Sequence, residues 1–223
     1  MMSLDVASLF TNIPLLETVN YICDQLIGGK IDVGIPSEKV KELLLKCTMN
    51  VQFMFNNGFY RQVDGVAMGS PLGPLLADIF LAKLENGPLK DTIKGLDYYC
   101  RYVDDTFIGC DRNLNKQELL NAVNSVYPTI QFTCEEEDNN SLPFLDVLLT
   151  MNTDGYLQRK LFRKKTWTGQ YTHFHSFTWI QHKRNLVKCL SYRIKRICSE
   201  ECTKEEIHKL KFTLQKMDIY RAS

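Results

Sequence analysis

A chain of 223 residues, 44% hydrophobic and 24% charged, has globular composition and room for a substantial core, which excludes wholesale disorder. Its formal net charge is +1, from 27 basic against 26 acidic residues, and that near-balance taken alone argues against a nucleic-acid partner. The total conceals a division. Met1 to Gly155 holds 11 basic and 21 acidic residues, whereas Tyr156 to Ser223 holds 16 basic and 5 acidic, so the expected organisation is an acidic domain, 1–155, followed by a basic segment, 156–223.

The start, Met1-Met2-Ser3-Leu4-Asp5, lacks a basic leader and carries an acid inside its first apolar run, which does not suit a secretory signal. The most apolar stretch, Val66 to Leu84, is broken by Pro71, Pro74, Asp78 and Lys83, and no membrane partner is expected. Eight irregularly spaced cysteines suggest free thiols in a reducing compartment, hence an intracellular protein that is not secreted. Cys198, Cys202 and His208 supply three residues of a metal-ligating type without a fourth, so packed or solvent-facing helix thiols are the expectation there.

Ser3 to Phe10 reads as a strand, followed by a helix from Pro14 that ends at Gly28-Gly29. A second helix starts near Pro36-Ser37, with Val40, Leu43, Leu44 and Cys47 on one face. Asn56-Asn57-Gly58 between two aromatic-rich runs, Val51 to Phe55 and Phe59 to Val63, is a hairpin signal. A glycine-rich connection, Gly65 to Gly73, leads into a helix with Leu75, Leu76, Ile79, Phe80 and Leu84. Leu96 to Cys110 forms a second hairpin that turns at Asp104-Asp105. Leu114 to Tyr127 is an amphipathic helix, Thr129 to Cys134 and Leu142 to Met151 are strands, and Asn152 to Gly155 turns into a strand at Tyr156 to Arg163. Beyond Trp179 the pattern is basic and helical.

An Asp-Asp pair is ordinarily only a turn. Between apolar hairpin arms the two acids are held together, and their repulsion is costly unless a cation relieves it. Hard carboxylate oxygens suit Mg²⁺, which prefers one or two carboxylates plus substrate phosphates. Asp5, near the end of another strand, supplies a further acid if the two strands are neighbours.

Three ordered segments carry a family resemblance: Asp5-Val6-Ala7-Ser8-Leu9-Phe10-Thr11-Asn12-Ile13-Pro14, then Gly65-Val66-Ala67-Met68-Gly69-Ser70-Pro71-Leu72-Gly73-Pro74, then Tyr102-Val103-Asp104-Asp105. They resemble the palm motifs of a reverse transcriptase. With Leu142-Pro143-Phe144-Leu145-Asp146-Val147, they are similar to the reverse transcriptases of Penelope-like retroelements, in which Met68 replaces a more usual Gln. The resemblance runs from about Ser3 to Ile197. It implies an α+β right-hand polymerase palm, an antiparallel sheet with helices on one face, followed by a mainly helical thumb segment.

It also implies RNA-directed DNA synthesis in the nucleus, with an RNA template, a DNA primer and deoxynucleoside triphosphates as partners. Carried over, Asp5, Asp104 and Asp105 are the catalytic acids. With the Val6 carbonyl they would ligate two Mg²⁺ ions, for which Mn²⁺ is a substitute. Phe10 would stand against the sugar to exclude a 2′-hydroxyl, and Gly69 and Ser70 would bring backbone close to the incoming nucleotide. Leu142 to Leu149 resembles the region that grips the primer end, and an ordinary core strand explains it equally well.

In the basic segment, Arg159, Lys160, Arg163, Lys164, Lys165, Lys183, Arg184 and Lys188 alternate with aromatics, a pattern suited to a duplex backbone and also to a solvated helix. Only four residues precede Asp5, so the basic fingers of the family are expected to be missing, as is a GIY-YIG-type endonuclease after Ser223. The general acid stays unassigned, since no lysine lies between Lys116 and Lys160. Two other functions fit parts of the pattern: a non-catalytic nucleic-acid-binding relic or domesticated protein, and a metal-dependent nuclease that needs only Asp5 near Asp104.

Overall fold

The structure is a computed structural model that describes residues 1–49, 51–111 and 113–218; the last five residues of the basic segment lie outside the described residues. In chain order it contains β1 (Met2–Val6), α1 (Leu9–Asn12), α2 (Leu15–Gly28), α3 (Ser37–Thr48), β2 (Gln52–Phe55), β3 (Gly58–Arg61), α4 (Gly73–Asn86) and α5 (Lys90–Lys94). Then follow β4 (Tyr98–Tyr102), β5 (Asp105–Gly109), α6 (Lys116–Asn124), β6 (Phe132–Glu136), β7 (Ser141–Phe144), β8 (Val147–Met151), β9 (Leu157–Leu161), α7 (Ile180–Ile197) and α8 (Glu200–Gln215). The fold is α+β. Two compact units are present, Met1–Glu135 and Glu136 onward, a division N-terminal to the charge change at Gly155 because β7, β8 and β9 form one sheet.

In the first unit four strands lie in the order β4-β5-β1-β6. Burial along β1 alternates as a period of two requires: Met2, Leu4 and Val6 are at most 2% exposed, while Ser3 and Asp5 point to the opposite face. The buried set joins Ile108 of β5 and Phe132 of β6 in a core with Val19 of α2, Leu76 and Phe80 of α4, and Leu119 and Val123 of α6. Helices therefore cover one face of the sheet and leave open the face that carries Asp5.

Several local details depart from the sequence expectation. β1 stops at Val6 because Ser8 takes a left-handed φ of 51°, which turns the chain into α1 and puts Phe10 on a helix. Pro14 sits just outside α2. The helix is capped instead by Asp64, whose Oδ1 accepts from the Leu15 N–H at 3.1 Å and the Gly65 N–H at 2.8 Å. In the aromatic hairpin, Asn56 and Asn57 take positive φ and Gly58 begins β3. Leu142 to Met151 is two strands, split by Leu145 at φ 53°.

The second unit packs the β7-β8-β9 sheet with α7 and α8 around Ile194, Cys198, Cys202, Leu210 and Leu214. Cys198 and Cys202 are thus core thiols, and His208 is exposed. The basic helix beyond Trp179 is two helices, because Cys198-Ser199 breaks it; Ser199 before Glu200-Glu201 is a helix-start signal. Among the described residues no helix is long and apolar enough to cross a membrane.

Gly65 shows how tightly the glycine-rich connection seats on α1. At φ +75°, a Cβ there would lie 2.6 Å from the Thr11 carbonyl oxygen and 2.8 Å from that of Phe10. Gly65→Ala is expected to cost about 2 kcal/mol or more in chemical denaturation. Gly69→Ala, at φ +90° with nothing within 4 Å of the added carbon, is expected to cost only about 1 kcal/mol.

Candidate active site

Antiparallel pairing of β1 with β5 sets Asp5 opposite Asp105, and pairing of β4 with β5 sets Tyr102 opposite Asp105. The hairpin therefore turns at Val103-Asp104, one residue earlier than Asp104-Asp105, and Asp105 is the first residue of β5. Asp104 occupies the tip, where its carbonyl accepts from the Val6 N–H at 3.3 Å. Asp5, on the open face, loses enough surrounding water for its carboxyl to rise above the ordinary 3.8; the Asp104 charge raises it further, and a hydrogen bond from the Val6 backbone pulls the other way.

β1 is also fixed on its other side, since the Ala7 N–H donates to the Gln131 carbonyl at 2.8 Å and Thr133 Oγ1 donates to the Asp5 carbonyl at 3.4 Å. Three of the sequence-predicted residues thus converge: Asp5, Asp104 and Asp105, with the backbone of Val6 beside them. Among the described residues no three His, Cys, Asp or Glu side chains form a ready-made metal cage. The donor set nonetheless fits Mg²⁺, because the oxygens are hard, their mutual repulsion opposes ionisation of Asp5, and Mg²⁺ takes few protein ligands.

Arg101, which sequence reasoning passed over, supports the turn. It lies on the helix-covered side of β4 with its side chain only 9% exposed. Nε donates to Glu85 Oε1 at 2.5 Å and Nη2 to Oε2 at 3.0 Å, while Nη1 donates to Asp78 Oδ1 at 2.8 Å and to the Val103 carbonyl at 3.1 Å. Burial opposes its charge, but Glu85 and then Asp78 more than offset this, so the guanidinium stays ionised. A signal was present in the sequence: an arginine alternating onto a core face needs acids, and Asp78 and Glu85 stand seven residues apart on one side of a helix.

Phe10 and the glycine-rich connection also meet. The Val66 N–H donates to the Phe10 carbonyl at 2.6 Å, and the Phe10 ring lies 3.6 Å from where a Cβ on Gly73 would sit. Ser70 shapes the entry to α4: its Oγ accepts from the Leu72 N–H at 3.3 Å and its carbonyl from the Gly73 N–H at 3.0 Å. Gly69 leaves open space beside its backbone.

The basic residues of the second unit divide into engaged and exposed sets. Lys160 pairs with Glu205 at 3.4 Å. Arg163 lies 2.6 Å from the buried Glu206 carboxylate and stacks on Trp167 with 5.1 Å to the ring centre. Lys183 is turned inward and donates to the Phe174 and Ser176 carbonyls, which leaves it no free face for a phosphate. Arg159, Lys164, Lys165, Arg184 and Lys188 are exposed and have no carboxylate partner among the described residues. Arg159, Tyr192, Arg193 and Arg196 line a groove of about 470 Å³ between β9 and α7.

The sequence profile of the reverse transcriptase (RNA-dependent DNA polymerase) family matches residues 1–136, the stretch that carries the three acids and Phe10, Gly69 and Ser70. The profile of the animal helix-turn-helix domain matches residues 170–217, the α7-α8 pair. Among solved structures the chain is similar to telomerase from Candida albicans in complex with a TWJ fragment of telomeric RNA, with a TM-score of 0.64 and 14% identity over 98% of this chain and 39% of that one. Apo telomerase from Candida tropicalis, truncated from its C-terminal domain, gives 0.53 and 15% over 72% of this chain and 35% of that one. Telomerase from Candida tropicalis in complex with the TWJ fragment gives 0.50 and 14% over 99% and 38%. At such identities the likeness is one of fold, and the chain spans 35% to 39% of the length of those chains. No curated protein sequence matches it. With its profile match covering more than half of the residues, the chain belongs to the reverse transcriptase (RNA-dependent DNA polymerase) family.

Proposed function

We propose that this chain is the palm and thumb portion of an RNA-directed DNA polymerase of the Penelope-like retroelement type, working in the nucleus to extend a DNA primer on an RNA template. The observation that carries the reading is the β1–β5 register, which puts Asp5 opposite Asp105 and beside Asp104 on the uncovered face of the sheet. Asp5 and Asp104 would hold two divalent cations, Mg²⁺ or Mn²⁺, with Asp105 and the Val6 carbonyl assisting. When bound, such ions supply Lewis-acid activation of the primer hydroxyl and charge neutralisation at the triphosphate. The protein's own part is positioning and electrostatics. Phe10 walls the sugar side, Gly69 lets backbone approach the incoming deoxynucleotide, and Ser70 holds that loop against α4.

In the second unit, α7 carries six basic residues and no acid, whereas α8 begins Glu200-Glu201 and holds four acids against three lysines. This favours phosphate contact through α7, with Arg159 and Arg196 in the groove beside it and Arg184 and Lys188 along the helix. Lys164 and Lys165 add exposed charge to the same unit.

Two measurements test the catalytic reading. In primer extension on an RNA template with Mg²⁺ or Mn²⁺, the chain is expected to incorporate deoxynucleotides, and Asp104→Asn to reduce incorporation by roughly 10³-fold. Salt-sensitive binding without incorporation would favour a binding protein instead, and metal-dependent release of nucleotides without synthesis a nuclease.

The second measurement is thermal stability. A carboxyl raised in the folded state contributes stability that is present below its unfolded pKa and lost as pH rises through its folded pKa. Asp5→Asn is therefore expected to melt at a higher temperature than the native chain at about pH 7, with the difference vanishing below about pH 4. Millimolar Mg²⁺ should raise the midpoint of the native chain and leave that of Asp5→Asn unmoved. A lower midpoint for the variant at about pH 7 would contradict the electrostatics.

A further inference from the structure

We propose that Arg101 is a positioning residue for the metal-binding carboxylates: it clamps the Val103-Asp104 turn to α4 and so ties the acidic site to the helix that follows the nucleotide loop. The inference rests on the reading of Asp5 and Asp104 as metal ligands. It starts from a conflict in the backbone. Val103 takes φ +57°, a left-handed conformation that a β-branched residue strongly disfavours, at a cost of about 1–3 kcal/mol. A glycine would relieve that cost and none is present, so the surroundings must hold the turn.

Two contacts hold Val103 itself. The Val103 side chain packs partly buried against the core, and its carbonyl accepts from Arg101 Nη1 at 3.1 Å. The same nitrogen donates to Asp78, and the other two guanidinium nitrogens form a fork onto Glu85. Asp78 and Glu85 both belong to α4, which starts three residues after Ser70. Only a planar guanidinium can present these donors at once; a lysine ammonium keeps the charge but not the fork. Arg101 reaches none of the reacting atoms itself and acts by fixing where Asp104 stands beside Asp5.

A neighbouring residue separates positioning from ordinary support. Tyr99, two residues earlier on β4, donates its hydroxyl to the same Glu85 Oε1 at 2.7 Å, whereas the side-chain donor to the Val103 carbonyl is Arg101. If Arg101 only braces the fold, Arg101→Lys and Tyr99→Phe should behave alike. If it positions the turn, they should differ in metal affinity.

The test is Mn²⁺ binding to the full chain, followed by electron paramagnetic resonance, with thermal midpoints recorded in parallel. Tyr99→Phe is expected to lower the midpoint and leave Mn²⁺ affinity within about twofold of native, whereas Arg101→Lys is expected to weaken Mn²⁺ binding by about tenfold. Val103→Gly, which removes the strain, should restore most of that affinity in the Arg101→Lys background, a coupling that a purely structural arginine would not show. Equal Mn²⁺ affinity in Arg101→Lys and the native chain, or no recovery with Val103→Gly, would overturn the clamp while leaving the acids as ligands. Native binding that Asp5→Asn does not reduce would overturn the ligand assignment, and the clamp with it.

Discussion

Everything at the candidate site depends on the register between β1 and β5. A strand offers alternate residues to opposite faces, so one pairing sends Met2, Leu4 and Val6 into the core and presents Asp5 opposite Asp105 and beside the Val103-Asp104 turn. A slip of one residue would bury Asp5 and expose the apolar set. The loss of hydrophobic burial, about 1.5–3 kcal/mol for each large side chain, enforces the functional geometry more strongly than any contact between the acids, which repel each other. Core packing thus holds together charges that would separate if left to themselves.

The site concentrates local costs that the surroundings offset. Asp5 is harder to ionise than an ordinary aspartate, Val103 occupies a disfavoured backbone region, and Gly65 admits no side chain against α1. Each is held from a different direction: the sheet register, the Arg101 fork, and the Asp64 cap that joins the start of α2 to the glycine-rich connection. Carboxylates, loop and Phe10 therefore come from elements locked to one another by hydrogen bonds.

Much of this was legible in the sequence because it rests on local signals. The hairpins and the amphipathic helices could be read from turn residues and periodicity, and the three ordered motifs from their resemblance to a known family. What could not be read depends on partners distant in sequence. The turn falls one residue earlier because register decides which residue begins β5, and Phe10 leaves the strand because Ser8 adopts a left-handed conformation that serine does not announce. The expected cations of the basic segment divided for the same reason: Lys160, Arg163 and Lys183 found Glu205, Glu206 and two backbone carbonyls, while Arg159, Lys164, Lys165, Arg184 and Lys188 stayed at the surface. The net positive charge of the C-terminal segment thus overstated what is free to meet a phosphate.

The central claim is that the paired strands set Asp5 and Asp104 to share divalent cations. Anomalous diffraction at the manganese edge, from crystals grown with Mn²⁺ and a non-hydrolysable deoxynucleoside triphosphate, tests it most directly. Two peaks about 3.5–4 Å apart, both ligated by these carboxylates, are the expected result. Manganese bound elsewhere, with Asp5 and Asp104 unligated, would contradict it.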